Sequence, residues 1–148
     1  MPLPGGILFY FIGQGSMSQR TQSIANKLHV FNTAFQVPQN VDLDSEARAD
    51  KNVLELRTKL IREEYAEVMH AISAKSPDPE HILKELCDLV YVCVGMADVY
   101  NWNFDVAFNR VHASNMSKLD KNGKFLRRED GKVLKSDNYI APDMKGLV

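Results

Sequence analysis

Three features of the 148-residue sequence predict an all-α fold, a four-helix bundle-like domain followed by an extended C-terminal arm or short hairpin. Apolar residues recur at intervals of three and four through four separate segments, as one face of a helix requires. The segment Ser76-Pro77-Asp78-Pro79-Glu80 marks a helix stop followed at once by a helix start. The tail carries Asn122-Gly123 and Asp130-Gly131, two turn dipeptides around a charged stretch.

In order, Ile24, Leu28, Phe31 and Phe35 supply the inward stripe of a first helix from Ser18 to about Phe35, and Pro38 ends it. Residues 37–50 contain Pro38, Asn40, Asp42 and Asp44 without a sustained period and read as a loop. Val53, Leu56, Leu60, Ile61, Tyr65, Val68 and Ile72 predict a second helix over about 50–74. Asp78 can cap the third helix, with Pro79 at the first position, where its missing N–H costs nothing, and Glu80 facing the positive end of the dipole. That helix, running to about Tyr100, contains LCDLVYVCVGMADV, apolar on nearly every side, and is expected at the centre of the bundle. Asn103 can cap a fourth helix reaching about Lys118, with Phe104, Ala107, Phe108 and Val111 inward.

The chain is long enough for one domain and too short for two of ordinary size. Residues 1–16 are expected to be a leader added by cloning, because Gly15-Ser16-Met17 resembles a junction followed by a native start. That leaves a helical domain at 17–119 and an arm at 120–148. A net charge of -1 gives no reason to expect a nucleic-acid partner or a polybasic membrane anchor, so an anionic ligand must be held by a local site. No stretch is long and apolar enough to span a bilayer. Cys87 and Cys93, six apart in one apolar run, suit neither a disulfide framework nor a zinc site; they are expected to be buried, reduced thiols of a cytoplasmic protein.

The chemistry lies in the carboxylates. Glu64 and Glu67 stand three apart on one face of the second helix, with Glu63 beside them, and Glu85 and Asp88 repeat that spacing on the third. The short connection makes the two helices antiparallel neighbours, so four carboxylates can converge. Alone, Glu63, Glu64 and Glu67 would read as a solvated face paired with Arg57, Lys59 or Arg62. Asp88 argues for more, because it sits within LCDLVYV with no evident basic neighbour, and ionised carboxylates are seldom buried unpaired. A cation resolves the repulsion, and oxygen ligands without matching histidine or thiolate favour Mg2+, with Mn2+ possible, over zinc. Such an ion binds phosphate oxygens and activates water, which points to phosphoester or phosphoanhydride hydrolysis.

The pattern EExxE at Glu63, Glu64 and Glu67 followed by ExxD at Glu85 and Asp88 resembles the MazG-like branch of the all-α NTP pyrophosphatase superfamily, to which phosphoribosyl-ATP pyrophosphohydrolase is related. The resemblance extends over LIREEYAEVMHAI, KELCDLVYVCVGMA and VHASNMSKLDKNGKFLRREDGKVLK. It implies Mg2+-dependent cleavage of a nucleoside triphosphate to a monophosphate and pyrophosphate, a house-cleaning activity in nucleotide metabolism. By position it makes Glu64, Glu67, Glu85 and Asp88 metal ligands and Glu63 the carboxylate that orients or deprotonates water. Asn115 and Lys118 match phosphate contacts, with Arg110 and Lys121 as weaker ones. His29, Asn32, Phe35 and Trp102 are the candidates for holding the base, whereas His70, His81 and His112 read as ordinary helix positions. A homodimer or homotetramer is implied, with Lys135, Asn138 and Tyr139 of the arm reaching across to a neighbouring subunit's site. Two alternatives stay open: a hydrolase of another phosphorylated compound such as phosphoribosyl-ATP, and a non-catalytic helical module that binds metal or nucleotide, or dimerises.

Overall fold

In the computed structural model, residues 23–148 are described; the leader at 1–16 and the expected helix start at Ser18 lie outside them. Helix α1 (Ile24–Ala34) opens with the Ser23 side chain accepting from the Asn26 N–H at 3.1 Å. It closes before Pro38 is reached. Gln36 turns to φ 54° in the left-handed region, Val37 N–H donates to Asn32 O at 2.8 Å, and Gln36 N–H to Thr33 O at 3.2 Å, a Schellman closure with glutamine where glycine is usual.

Helix α2 (Arg48–Ile72) has no side-chain cap and rests on packing. Helix α3 (Pro79–Val99) starts as the sequence predicts, with Asp78 accepting from Glu80 N–H at 3.0 Å. It ends on Asn101 at φ 57°, with Trp102 N–H reaching back to Ala97 O at 2.9 Å. Helix α4 (Phe104–Met116) is capped by Asn103, whose side chain accepts from Val106 N–H at 3.2 Å.

Helix α3 is the central element: α1 and α2 pack along it, and α4 touches α1 and α3 but not α2. Leu28, Val68, Ala71, Val94, Ala97 and Val99 form the core. Gly95 sets the α1–α3 approach, because a Cβ there would stand 3.4 Å from Leu28 Cδ1. Asn32 is also buried, and its amide donates to Gly95 O at 3.3 Å and Asp98 Oδ2 at 2.8 Å.

Several expected core residues are exposed. Of the α1 stripe only Leu28 is buried; Ile24, Phe31 and Phe35 are open, as are Leu56, Tyr65 and Ile72 on α2 and Phe108 and Val111 on α4. Cys87 and Cys93 are exposed as well, contrary to the burial expected from their apolar surroundings. One reason covers them all: α1 and α2 cover only part of α3, so the helix periodicity marks more apolar surface than one chain encloses.

The arm is a loose hairpin with a single antiparallel bridge, Arg127 to Val133. Gly123 at φ 71° and Gly131 at φ 86° form its two turns, where a side chain would be strained. The arm is tied to its own α4. Arg110 donates to the carbonyls of Asp143 at 2.7 Å and Lys145 at 3.1 Å, Ile140 N–H to Ser117 Oγ at 2.8 Å, and Asn103 N–H to Leu147 O at 2.9 Å. Each bond satisfies a polar group that an arm lifted off the helix would leave to water. Among the described residues no helix is long and apolar enough to cross a membrane.

Candidate metal centre and active site

The α2–α3 pairing brings Glu64, Glu67 and Glu85 together, with one carboxylate oxygen from each within 4.8 Å of the others. Glu85 is 2% exposed, and Oε2 of Glu64 is buried without a hydrogen-bond partner. Burial is the first cause holding the Glu64 carboxyl above its ordinary pKa, followed by the charges of Glu67 and Asp88; Lys84 opposes them and Glu85 adds to them. The Asp88 charge adds to that pressure on Glu64, although none of its oxygens belongs to the tight trio.

The expectation that Asp88 lacks a basic neighbour is corrected. Lys84, one turn earlier, reaches Asp88 Oδ2 at 2.8 Å and Glu85 Oε1 at 3.1 Å. The two carboxylates hold its ammonium strongly protonated, Asp88 most. Asp88 is itself 39% exposed rather than trapped. His81 Nδ1 stands 3.2 Å from Glu85 Oε1, and with His70, Glu67 and Ala66 it lines a cleft of about 360 Å3 against the cluster. The spacings i, i+4 from Lys84 to Asp88 and from His81 to Glu85 were the available sequence signals for both.

The donor set fits a hard divalent cation. It offers carboxylate oxygens at short mutual range, one buried oxygen lacks a partner, and a single ammonium reaches only two of the four acids. Glu63 stands apart from the trio, half exposed, 3.7 Å from Lys59 Nζ, and on the wall of a shallow groove with Glu55, Thr58 and Arg62.

The other predicted residues lie elsewhere. Lys118 Nζ donates to Asn115 Oδ1 at 2.8 Å, so these two do meet, but at the end of α4, which stops at Met116 rather than reaching Lys118 and makes no contact with α2. Arg110 is committed to the arm, and Lys121 lines a cavity within it. His29 and Asn32 share Asp98, whose Oδ1 lies 2.9 Å from His29 Nδ1. Phe35 packs at 4.5 Å on Phe31, and Trp102 stacks at 5.1 Å on Tyr100. Each of these four side chains has a local partner in Asp98, Phe31 or Tyr100.

A helical domain with paired acidic motifs on antiparallel helices defines the class: an all-α pyrophosphohydrolase, a hydrolase acting on phosphoanhydride bonds. The chain belongs to the phosphoribosyl-ATP pyrophosphohydrolase family, whose model matches residues 31–115, more than half of the chain, taking in all four acids of the cluster. No curated protein matches it.

Proposed function

We propose that the protein is a Mg2+-dependent nucleotide pyrophosphohydrolase that converts a (d)NTP to the (d)NMP and pyrophosphate, with Mn2+ as a substitute ion. The observation that carries this reading is the convergence of Glu64, Glu67 and Glu85 beside Asp88, with a buried oxygen left unpartnered. These four would hold the metal. When bound, it would supply charge neutralisation at the phosphate oxygens and polarise the phosphorus. Glu63, one turn from Glu67 and open to solvent, is suited to orienting or deprotonating the attacking water. Asn115 and Lys118 are the phosphate contacts in this reading. His29, Phe35 and Trp102 offer imidazole and ring faces to a base.

A homodimer or homotetramer is part of the proposal. Leu83, Leu86 and Val90 form an exposed stripe along α3 with Tyr91 beside it, a contiguous apolar surface that a second copy would cover. Sedimentation of wild type against Leu86→Glu tests it: the variant should be monomeric, and a monomeric wild type refutes it. Exposed reduced thiols at Cys87 and Cys93 suit a cytoplasmic setting.

The family description favours a second reading, phosphoribosyl-ATP as substrate. Pyrophosphate release measured with Mg2+ over all common NTPs and dNTPs, and over phosphoribosyl-ATP, decides between them by which substrate turns over. If all stay at background while nucleotide still binds, the protein is a non-catalytic module and the proposal fails.

A further inference from the structure

A cavity in the arm lies away from the carboxylates. It measures about 600 Å3 and is formed wholly by the arm, from Asp120, Lys121, Lys124, Phe125 and Leu126 on one side and Lys135, Ser136, Asp137 and Asn138 on the other. Its frame is fixed by hydrogen bonds. Asp120 Oδ1 accepts from Asn122 N–H and Lys124 N–H, both at 2.8 Å, and Leu134 N–H donates to Leu126 O at 2.9 Å. Ser136 Oγ is 3.4 Å from Ser117 O and 3.3 Å from Leu119 O, which fastens the pocket to the end of α4.

Three lysines face this cavity, and among the described residues none forms a salt bridge with a carboxylate. Asp120 has its carboxylate turned into the backbone of its own loop, which leaves Asp137 as the other acid on the wall. Lys135 Nζ is held 4.3 Å from the centre of the Tyr139 ring, so its ammonium is positioned without being neutralised. In a chain of net charge -1, the acids gather between α2 and α3 while unpaired ammonium groups gather here. Concave basic surface concentrates anions, and lysine serves phosphate oxygens as a mobile point charge. Phe125 and Leu126 add exposed apolar area beside these charges, and Ser136 and Asn138 add short polar groups.

We propose that the arm carries its own phosphate-binding pocket, in which Lys121, Lys124 and Lys135 hold the phosphate groups of a nucleotide whose flat base lies against Phe125 and Leu126. The assignment deepens the nucleotide reading given above and rests on it for the identity of the ligand. The pocket requires no divalent metal, and that separates it experimentally from the carboxylate cluster.

The test is calorimetric titration of the full chain with inorganic pyrophosphate and with AMP, in EDTA at physiological salt. Wild type should bind both. The triple variant Lys121→Ala, Lys124→Ala, Lys135→Ala should bind each at least tenfold more weakly, and Phe125→Ala should weaken AMP but not pyrophosphate. Glu64→Gln with Glu67→Gln should leave metal-free binding of both in place. A triple Lys→Arg variant, which keeps the charge, should bind pyrophosphate and so show that the arm tolerates substitution. Absence of binding in EDTA, undiminished affinity in the triple alanine variant, or loss of binding in the glutamine pair overturns the proposal. Failure of the pyrophosphohydrolase reading would instead show as absent pyrophosphate release with Mg2+, whatever the metal-free titrations give.

Discussion

Helix α3 carries acidic side chains near both ends, and the two environments differ in kind. At Asp98 a single carboxylate, 15% exposed, receives Asn32 Nδ2 at 2.8 Å and Gln39 Nε2 at 3.3 Å, and lies 2.9 Å from His29 Nδ1. All of these groups come from α1 and the loop after it, so a lone acid is satisfied by amides and an imidazole while joining two elements. Around Glu64 three acids meet with Asp88 beside them, one ammonium reaches Glu85 and Asp88, and a buried oxygen has no partner. Neutral donors can settle one buried charge, whereas several like charges call for a cation. The first centre joins two elements of the fold; the second, in the function proposed above, would take a cation.

Substitutions should separate the two. The largest effect is expected for Glu67→Ala combined with Asp88→Ala: pyrophosphate release should fall at least about 100-fold, in keeping with losing the site that places and activates the reactants. The same variant should lose the Mg2+-dependent rise in Tm while unfolding no earlier than wild type in EDTA. At the other end, Asn32→Ala should cost about 2 kcal/mol of stability, measured by urea unfolding, because it removes a buried hydrogen bond to a charged group. Its Mg2+-dependent Tm increment should stay intact, and a loss of that increment would mean that the two centres are not independent.

Lys84→Met should give a smaller change. A divalent metal held as proposed would compete with the Lys84 ammonium for Glu85 and Asp88, so removing that ammonium should tighten Mn2+ binding severalfold in calorimetry while lowering the metal-free Tm slightly. Weaker Mn2+ binding would show instead that Lys84 supports the loaded site.

The smallest effect concerns pH. The folded-state pKa of Glu64 is raised above its ordinary 4.5, so the folded protein binds more protons there than the unfolded chain between those two values. Metal-free stability should therefore decline as pH rises from 4.5 through the raised pKa, relative to Glu64→Gln, and added Mg2+ should reverse the decline. A difference between the two proteins that does not change with pH over this interval would contradict the burial assigned to Glu64.

Much of the fold was legible because it is local. Asp78 and Asn103 act through neighbouring backbone groups, and the structure uses each as a helix N-cap. Gln36 was not legible, because nothing in its residue type favours the left-handed conformation it adopts. The i, i+3 spacing likewise placed Glu64, Glu67 and Glu85 together, but side-chain reach decided what joined them: Lys84 and His81 entered from one turn away. Burial was the least legible property. Periodicity marks a face as apolar without saying whether this chain or another covers it, so Phe35, Cys87 and Cys93 were placed inside when they lie open.

The most direct measurement is a calorimetric titration of Mn2+ into the full chain and into the variant carrying Glu64→Gln and Glu67→Gln. Wild type should show saturable binding that the variant lacks, with both proteins folded by circular dichroism. Equal binding by the two proteins, or none by wild type, would contradict the assignment of these carboxylates as a metal centre.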